Sequence, residues 1–323
     1  MNVRHLALVA LLCAGVAFGE SNPTSAPQTV EIPSGGLRLK AFLWMPKGSG
    51  PFPAVLFNHG SGGADAAHTA GLTMTEAAGR LGPLFARHGY AFLYPCRRGH
   101  GMSADQGPFM QDLLQREEAA RGNHSRQHLQ LVLLTTDYLD DALAALTYLK
   151  HTRGIDPHRI AIAGHSFGGQ LSLLAAEHDN DVRAVVTFAA AASSWDRSPE
   201  LRELLLRAVR TTAAPIMLTH AENDYSTTPG RDLADELGRL HKPHVLKIYA
   251  PFGQTPEDGH NFVYSAIPLW EEDVFRFLDM HVGHRHRSAV SAAHPMSLQA
   301  GRLGLGLARN GGLGNWRTGK LRT

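Results

Sequence analysis

The chain has 323 residues, of which 43% are hydrophobic and 19% are charged, and its formal net charge is +2. This composition is that of an ordinary globular protein, and the length allows one large α/β domain or two small ones. Beyond the N-terminal segment, no stretch is apolar and long enough to resemble a membrane-spanning helix.

The first residues predict a secretory signal peptide. Arg4 precedes an unbroken apolar stretch from Leu6 to Phe18, and Ala17-Phe18-Gly19 offers a small-x-small cleavage site. We therefore expect residues 1–19 to be removed and the mature protein to be secreted or periplasmic. Cleavage would leave Cys96 as a single cysteine, which cannot close an internal disulfide. Because Cys96 follows a strand-like segment, we expect it to be a buried structural thiol.

Strand and helix patterns alternate over residues 28–282, which is typical of a mostly parallel sheet with helices on both faces. Apolar runs predict strands at 37–44, 54–58, 90–94, 159–163, 182–188, 215–219 and 245–249. Helical spacing of apolar residues predicts helices at 74–88, 136–151, 171–176, 231–240 and 269–281.

Two long excursions interrupt this alternation. One is polar and covers about 102–130, and the other covers 193–212 and contains a leucine-rich helix. Both follow the carboxyl ends of predicted strands, where open α/β sheets bind their ligands. We therefore expect these excursions to act as lids or as walls of a binding site.

The C-terminal residues 283–323 differ from the rest of the chain. They contain seven Lys or Arg and no Asp or Glu, and they are rich in Gly and His without a sustained period. This composition predicts a disordered tail. We expect no specific nucleic-acid partner for it, and the sequence does not fix the oligomeric state.

The most informative motif is Gly164-His165-Ser166-Phe167-Gly168, which has the form G-x-S-x-G. It lies between a predicted strand and a predicted helix, where such a turn lifts the serine hydroxyl above the end of the sheet. A serine hydroxyl needs a base to remove its proton, and the base needs an acid to orient it. Ser166 is therefore the candidate nucleophile.

Candidates for these two partners follow Ser166 in the chain. Asp224 and Glu222 both lie in the loop after the predicted strand at 215–219, and either could be the acid. His260 is the only histidine between the last predicted strand and the last predicted helix, so it is the candidate base. His165 and His59 are expected to have structural or pocket-lining roles, and His59 could help to order the loop that follows it.

Acyl transfer also needs hydrogen-bond donors for the developing oxyanion. The N–H of Phe167, next to the nucleophile, is one candidate, and the N–H of Ser61 is the other. Ser61 lies among Gly60, Gly62 and Gly63, which allow the backbone to approach a substrate closely. Taken alone, this segment could also be an ordinary glycine turn.

These segments together resemble the α/β-hydrolase superfamily, and in particular its dienelactone hydrolase-like branch, which grades into prolyl-oligopeptidase-type catalytic domains. The resemblance covers about 37–282 and rests on the segments 51–63, 98–103, 164–169 and 259–262 and on Asp224. It implies an α/β-hydrolase fold and a serine-type acyl hydrolase that needs no cofactor and no metal, and it favours Asp224 over Glu222. Dienelactone hydrolases have a cysteine where this chain has Ser166, and relatives often have an aspartate where it has Cys96.

Three functions are consistent with this sequence. The first is a carboxylic-ester hydrolase that acts on small-molecule or polymeric esters through a Ser166–His260–Asp224 triad. The second is a serine peptidase of the prolyl-oligopeptidase type, and the third is a non-catalytic binding protein on a hydrolase scaffold. The sequence leaves open the natural substrate and the acyl and alcohol specificity.

Overall fold

The computed structural model describes residues 26–62 and 72–283. Its strands among these residues form one eight-stranded sheet in the order β1-β2-β4-β3-β5-β6-β7-β8. The strands are β1 (Gln28–Ser34), β2 (Leu37–Trp44), β3 (Phe52–Asn58), β4 (Ala91–Pro95), β5 (Ile155–His165), β6 (Ala184–Phe188), β7 (Ile216–Ala221) and β8 (His244–Tyr249).

Helices cover both faces of this sheet. They are α1 (Met74–Arg87), α2 (Met110–Thr135), α3 (Asp137–Lys150), α4 (Phe167–Glu177), α5 (Pro199–Thr211), α6 (Thr228–Arg239), α7 (Pro256–His260), α8 (Phe262–Ser265) and α9 (Ile267–His281). Side chains of α1, α8 and α9 form one hydrophobic cluster with one face of the sheet. Side chains of α2 to α6 form the second cluster, on the other face. This arrangement confirms the predicted α/β-hydrolase fold with helices on both faces.

The strand pairing brings the predicted site residues to one edge of the sheet. β1 pairs antiparallel with β2 and β2 pairs antiparallel with β4, whereas β3 to β8 pair in parallel. Asn58 is in register with Gly164, and Phe188 is in register with both His165 and Thr219. The segments that follow β3, β5 and β7 therefore leave the sheet at the same end, with β6 between β5 and β7.

The structure differs from the sequence-based prediction in three places. β1 was not predicted, although it forms a hairpin with β2. The excursion at 102–130, expected to be a polar loop, lies largely in the 26-residue helix α2, which is interrupted at Gly122 (φ 84°). Only four of its side chains are buried, so its apolar pattern is weak. The expected loop around His260 forms the two short helices α7 and α8.

Several expectations concern other parts of the chain. The signal peptide at 1–19 and, apart from Gly283, the basic tail at 283–323 lie outside the described residues. Within the described residues, no helix has the length and apolar character needed to span a bilayer. Cys96 is a free, fully buried thiol, which confirms the expected structural role, and burial raises its pKa to about 11.

Candidate active site

The turn between β5 and α4 holds Ser166 in a strained conformation. Its backbone has φ 53° and ψ −117°, which costs a non-glycine residue roughly 1–3 kcal/mol. A Cβ at Gly168 would collide with the carbonyl of Asn58, and a Cβ at Gly164 would collide with the carbonyl of Gly168. Both glycines are therefore required for the turn that presents the Ser166 hydroxyl.

Ser166, His260 and Asp224 form a continuous series of hydrogen bonds. Ser166 Oγ lies 2.9 Å from Nε2 of His260, and Nδ1 of His260 lies 2.7 Å from Oδ1 of Asp224. All three side chains are buried. A proton on Nδ1 is donated to the carboxylate, which leaves Nε2 free to accept the serine proton. The structure therefore brings together the three residues that the sequence analysis placed in one triad.

The structure also distinguishes the two candidate acids. Glu222 is exposed, and its backbone N–H donates to the carbonyl of Tyr249, which holds this residue on β8. Asp224 lies two residues later, where its backbone N–H donates to the carbonyl of Ala221 and its side chain turns into the site. Only Asp224 of the two contacts His260.

A second histidine holds the carboxylate of Asp224. Nδ1 of His220, at the end of β7, donates to Oδ2 of Asp224 over 2.8 Å, and the N–H of Tyr225 donates to Oδ1 over 2.7 Å. Burial alone would raise the pKa of Asp224, but the hydrogen bonds from His220 and His260 lower it below its ordinary value. Asp224 is therefore held as an oriented carboxylate. The role of His220 could not be predicted from the sequence, because it depends on a contact with the following loop.

The loop that carries His260 is fixed by two neighbours. The side chain of Asn223 donates to the carbonyls of Phe252 and Thr255, so the segment with the acid is tied to the segment that precedes α7. Nε2 of His165 donates to the carbonyl of His260 over 2.9 Å. Burial and the neighbouring His260 lower the pKa of His165 to about 3. His165 is therefore a neutral donor that positions the backbone of the candidate base, as expected for a structural residue.

A buried arginine holds the loop after β3. The guanidinium of Arg97 donates to the carbonyls of His59 (2.6 Å) and Gly60 (2.7 Å). It also lies over the rings of Tyr138 and Phe167, with 5.7 Å and 5.4 Å to their centroids. Among the described residues, no carboxylate forms an ion pair with Arg97. Its charge is thus compensated by carbonyl dipoles and aromatic faces.

This contact orients the peptide group that contains the Ser61 N–H. In a planar trans peptide the C=O and the N–H point in opposite directions. Because the Gly60 carbonyl faces Arg97, the Ser61 N–H points away from it. His59 supports the same arrangement, since its Nδ1 donates to the Gly60 carbonyl over 2.7 Å. Burial, followed by the charge of Arg97, lowers the pKa of His59 well below its ordinary value, so His59 is neutral.

The two predicted oxyanion donors come from different segments. The Ser61 N–H belongs to the loop after β3, and the Phe167 N–H directly follows the nucleophile Ser166. Phe167 is the first residue of α4, so its N–H has no acceptor within the helix. The carbonyl of Ser61 accepts a hydrogen bond from Gln111 of α2 over 3.4 Å. Gly63, which also belongs to the predicted loop, lies outside the described residues. The oxyanion role of Ser61 and Phe167 stays a prediction.

Arg97 was not identified as a site residue from the sequence. The sequence shows only that it follows a buried strand and precedes Arg98, whose guanidinium instead forms a bidentate pair with Asp141 at 3.0 Å and 2.7 Å. Two adjacent arginines thus have different partners, and only the fold distinguishes them. Among residues 26–62 and 72–283, no cluster of His, Cys, Asp or Glu has the arrangement of a metal site.

Comparison with known proteins identifies the family. A curated relative, the quorum-quenching protein AidA of Acinetobacter baumannii, is 27% identical over 237 residues, which are 73% of this chain and 62% of the relative. The chain therefore spans somewhat less than two thirds of that relative's length.

Solved structures with low sequence identity share the fold. Acylaminoacyl peptidase of Pyrococcus horikoshii has a TM-score of 0.56 and 17% identity, over 83% of this chain and 43% of that protein. Dienelactone hydrolase of Anabaena variabilis has a TM-score of 0.52 and 19% identity, over 80% of this chain and 100% of that protein. Est1E of Butyrivibrio proteoclasticus, solved with ferulic acid, has a TM-score of 0.54 and 20% identity, over 79% of this chain and 100% of that protein. The family model of the dienelactone hydrolases matches residues 39–266, well over half of the chain, and the protein therefore belongs to the dienelactone hydrolase family.

Proposed function

We propose that this protein is a serine hydrolase that cleaves carboxylic esters, with Ser166 as nucleophile, His260 as general base and Asp224 as the orienting acid. The observation that carries the proposal is the buried series from Ser166 through His260 to Asp224, with distances of 2.9 Å and 2.7 Å. This series of hydrogen bonds begins at Ser166, which lies in a strained turn of the kind that exposes a serine hydroxyl.

The reaction follows from the positions of these groups. Nε2 of His260 takes the proton of the Ser166 hydroxyl as Oγ attacks the ester carbonyl carbon. The N–H groups of Phe167 and Ser61 hold the resulting oxyanion. The protonated His260, stabilised by Asp224, then gives its proton to the leaving alkoxide, and the C–O bond of the ester breaks. Water, deprotonated by Nε2 of His260, then attacks the acyl carbon. The bond between this carbon and Ser166 Oγ breaks, His260 returns the proton to Oγ, and the carboxylic acid is released.

Ester cleavage is favoured over peptide cleavage by the extent of the structural similarities. The dienelactone hydrolase of A. variabilis is matched along 100% of its length, and a lactone is a cyclic ester. The acylaminoacyl peptidase is matched along 43%, so that likeness concerns the hydrolase fold and leaves most of the peptidase unmatched. Because Ser166 stands where dienelactone hydrolases have a cysteine, we propose ordinary esters or lactones rather than dienelactone as substrates.

A substrate panel tests the proposal. 4-Nitrophenyl esters, a γ-lactone and aminoacyl-4-nitroanilides are assayed with the wild type, with Ser166→Ala and with Ser49→Ala, an exposed serine that serves as the control. We expect ester hydrolysis by the wild type and the control, and a loss in kcat of about 10⁴-fold or more for Ser166→Ala.

The other outcomes are equally specific. Faster cleavage of anilides than of esters would favour the peptidase. A wild type that turns over no ester and is not labelled by a fluorophosphonate would favour a non-catalytic binding protein. Ester hydrolysis that survives in Ser166→Ala would exclude this serine as the nucleophile.

We also propose that the protein is exported. The support is the apolar stretch from Leu6 to Phe18, whose end overlaps the small-x-small cleavage site Ala17-Phe18-Gly19. N-terminal sequencing of the protein purified from its native host should begin at Glu20. A mature protein that still contains Arg4 would contradict this proposal.

A further inference from the structure

One exposed aromatic side chain lies against the candidate base. Tyr225 is 49% exposed, and the centroid of its ring lies 4.8 Å from that of the His260 imidazole. Among the described residues, the large apolar side chains that are exposed are those of Val132, Tyr225, Leu269 and Met280, and Tyr225 is the aromatic one. A single exposed apolar side chain is normal in a folded protein, so what distinguishes Tyr225 is its position against the base.

The backbone of Tyr225 fixes the position of this ring. Its N–H donates to Oδ1 of Asp224 over 2.7 Å, and the same oxygen accepts the hydrogen bond from Nδ1 of His260. Tyr225 is therefore positioned by the carboxylate that also orients the base. His165 is the other described residue whose ring contacts His260, with a centroid distance of 5.0 Å, and it is buried. Of these two rings, the one that a ligand can reach is that of Tyr225.

The proposed reaction brings the alcohol part of an ester next to Tyr225. As a general acid, His260 must come within about 3 Å of the leaving oxygen to donate its proton. The acyl carbon is then bonded to Ser166, and its oxygen faces the predicted N–H donors of Phe167 and Ser61. The alcohol part therefore extends along the imidazole of His260, against which the ring of Tyr225 lies. Aromatic rings attract each other at centroid distances of about 4.5–7 Å, so a ring one or two bonds beyond the leaving oxygen can stack on Tyr225.

The charges near Tyr225 favour a neutral alcohol. Burial, followed by the charges of Glu257 and Asp224, raises the pKa of the Tyr225 phenol. Because both carboxylates act on this side chain, the electrostatic potential around its ring is negative. An anionic group stacked on the ring would be repelled by Glu257, which lies in the first turn of α7. A neutral aromatic ring avoids this repulsion.

We propose that Tyr225 binds the alcohol part of the substrate, so that the preferred substrates are esters of neutral aromatic alcohols. This proposal rests on the proposed esterase function. The exposed face of the Tyr225 ring stacks on the aromatic ring of the alcohol while Nε2 of His260 donates to the alcohol oxygen. Tyr225 takes no part in proton transfer, and its role is to determine specificity.

A pair of matched esters tests this proposal. Benzyl butyrate and cyclohexylmethyl butyrate have the same acyl part, and their alcohols have the same number of carbon atoms but differ in aromatic character. Both esters form the same butyryl-enzyme, so a difference in kcat/KM arises before the alcohol has left. The readout is the ratio of kcat/KM for the benzyl ester to that for the cyclohexylmethyl ester, measured from the acid released at constant pH. We expect a ratio of about two to ten, which is the factor that an aromatic pair contributes.

Substitutions of Tyr225 should change this ratio. Tyr225→Leu removes the aromatic face and should lower the ratio to about one, whereas Tyr225→Phe keeps the ring and should retain the ratio. Met280→Leu is the control and should leave the ratio unchanged. Met280 is exposed near the end of α9, and Arg159, early in β5, donates to the carbonyl of Val282. This end of α9 is therefore far from Ser166, which follows the last residue of β5.

Two results of this experiment would overturn the proposal while leaving the esterase function intact. One is a ratio near one in the wild type. The other is a high ratio that Tyr225→Leu does not lower, because the aromatic alcohol would then be bound by other side chains.

A binding measurement separates failure of this proposal from failure of the proposed function. Saturation-transfer NMR of the purified protein with benzyl alcohol detects weak binding without any turnover. We expect the aromatic protons of benzyl alcohol to receive saturation from the wild type and from Met280→Leu, and about threefold less from Tyr225→Leu. Binding that depends on Tyr225 in this way supports the proposal even in a protein that hydrolyses neither ester. No transfer from the wild type, or equal transfer from all three proteins, would count against it whatever the hydrolytic activity.

Discussion

Replacement of Arg97 by methionine should reduce catalysis with little effect on stability. The substitution removes the two hydrogen bonds to the carbonyls of His59 and Gly60, which fix the peptide that carries the Ser61 N–H. Deletion of an entire oxyanion donor lowers kcat by roughly 10²–10³-fold. The loss should be smaller here, roughly ten- to a hundredfold, because Nδ1 of His59 still holds the Gly60 carbonyl.

The small effect on stability follows from two opposing contributions. Burial lowers the pKa of Arg97 from 12.5 to about 10. Placing this charge in the interior therefore costs about 3 kcal/mol. An uncharged methionine at this position avoids that cost. Against this, the His59 carbonyl loses its donor and the Gly60 carbonyl loses one of two, at a cost of roughly 2–4 kcal/mol together. The two contributions nearly cancel, and the free energy of unfolding should change by less than about 2 kcal/mol.

Arg98 offers a matched control in the adjacent position. Its guanidinium pairs with Asp141, whose side chain is 1% exposed, so Arg98→Met leaves a buried carboxylate without its cation. Such a loss costs about 3–5 kcal/mol of stability, which lowers the Tm of a domain of this size by about 10 °C. Steady-state ester hydrolysis and thermal unfolding of both variants test the contrast. If Arg97→Met retained the wild-type kcat, the orienting role of Arg97 would be refuted. If it unfolded at a Tm as low as that of Arg98→Met, the two contributions to its stability would not cancel as argued.

Two further predictions concern the acid and the buried histidines. Asp224→Asn should lower kcat by about 10³–10⁴-fold because the amide favours the wrong tautomer of the base, whereas Glu222→Gln should leave it unchanged, as measured in the same ester assay. The folded protein keeps His59, His100 and His165 neutral: burial lowers the pKa of His59 well below 6.5 and those of His100 and His165 to about 3. The unfolded chain binds more protons below pH 6.5, so stability should fall by about 4 kcal/mol between about pH 7.5 and pH 5.5. Denaturant unfolding at the two pH values measures this loss, which His100→Phe should reduce by about a third. A stability that does not change over this range would contradict the buried neutral state of all three.

The sequence predicts the sheet and the reacting groups because both have strong local patterns. Buried parallel strands are short apolar runs, and a serine between two glycines at a strand end has a steric meaning that needs no tertiary context. The order of Ser166, Asp224 and His260 along the chain then follows from the order of the strands. Glu222 and Asp224 could not be distinguished from the residues themselves, because both are acids in the same loop and only the backbone conformation turns one inward.

The helix α2 could not be predicted for a related reason. It has four buried side chains along 26 residues, and Gly122 interrupts it. Over most of its length, polar and charged residues face solvent, and the exposed ion pair between Arg121 and Glu117 is typical of them. A helix that buries only a few side chains against the domain has little apolar periodicity, so its sequence resembles a polar loop.

The residues that position the site are a different class from those that react, and they carry no motif. Arg97 holds the loop after β3, His165 holds the backbone of His260, and His220 holds the carboxylate of Asp224. Each of the three side chains is buried. Arg97 and His165 donate hydrogen bonds to segments that are distant in the chain, and His220 donates one to the loop that follows its own strand. These contacts exist only after the sheet has formed. Because His165 acts as a neutral donor, protonation in acid would disturb the base as well as the fold. Because burial lowers the pKa of His165 to about 3, the folded protein should lose this support of the base only near that pH, well below the range in which stability begins to fall.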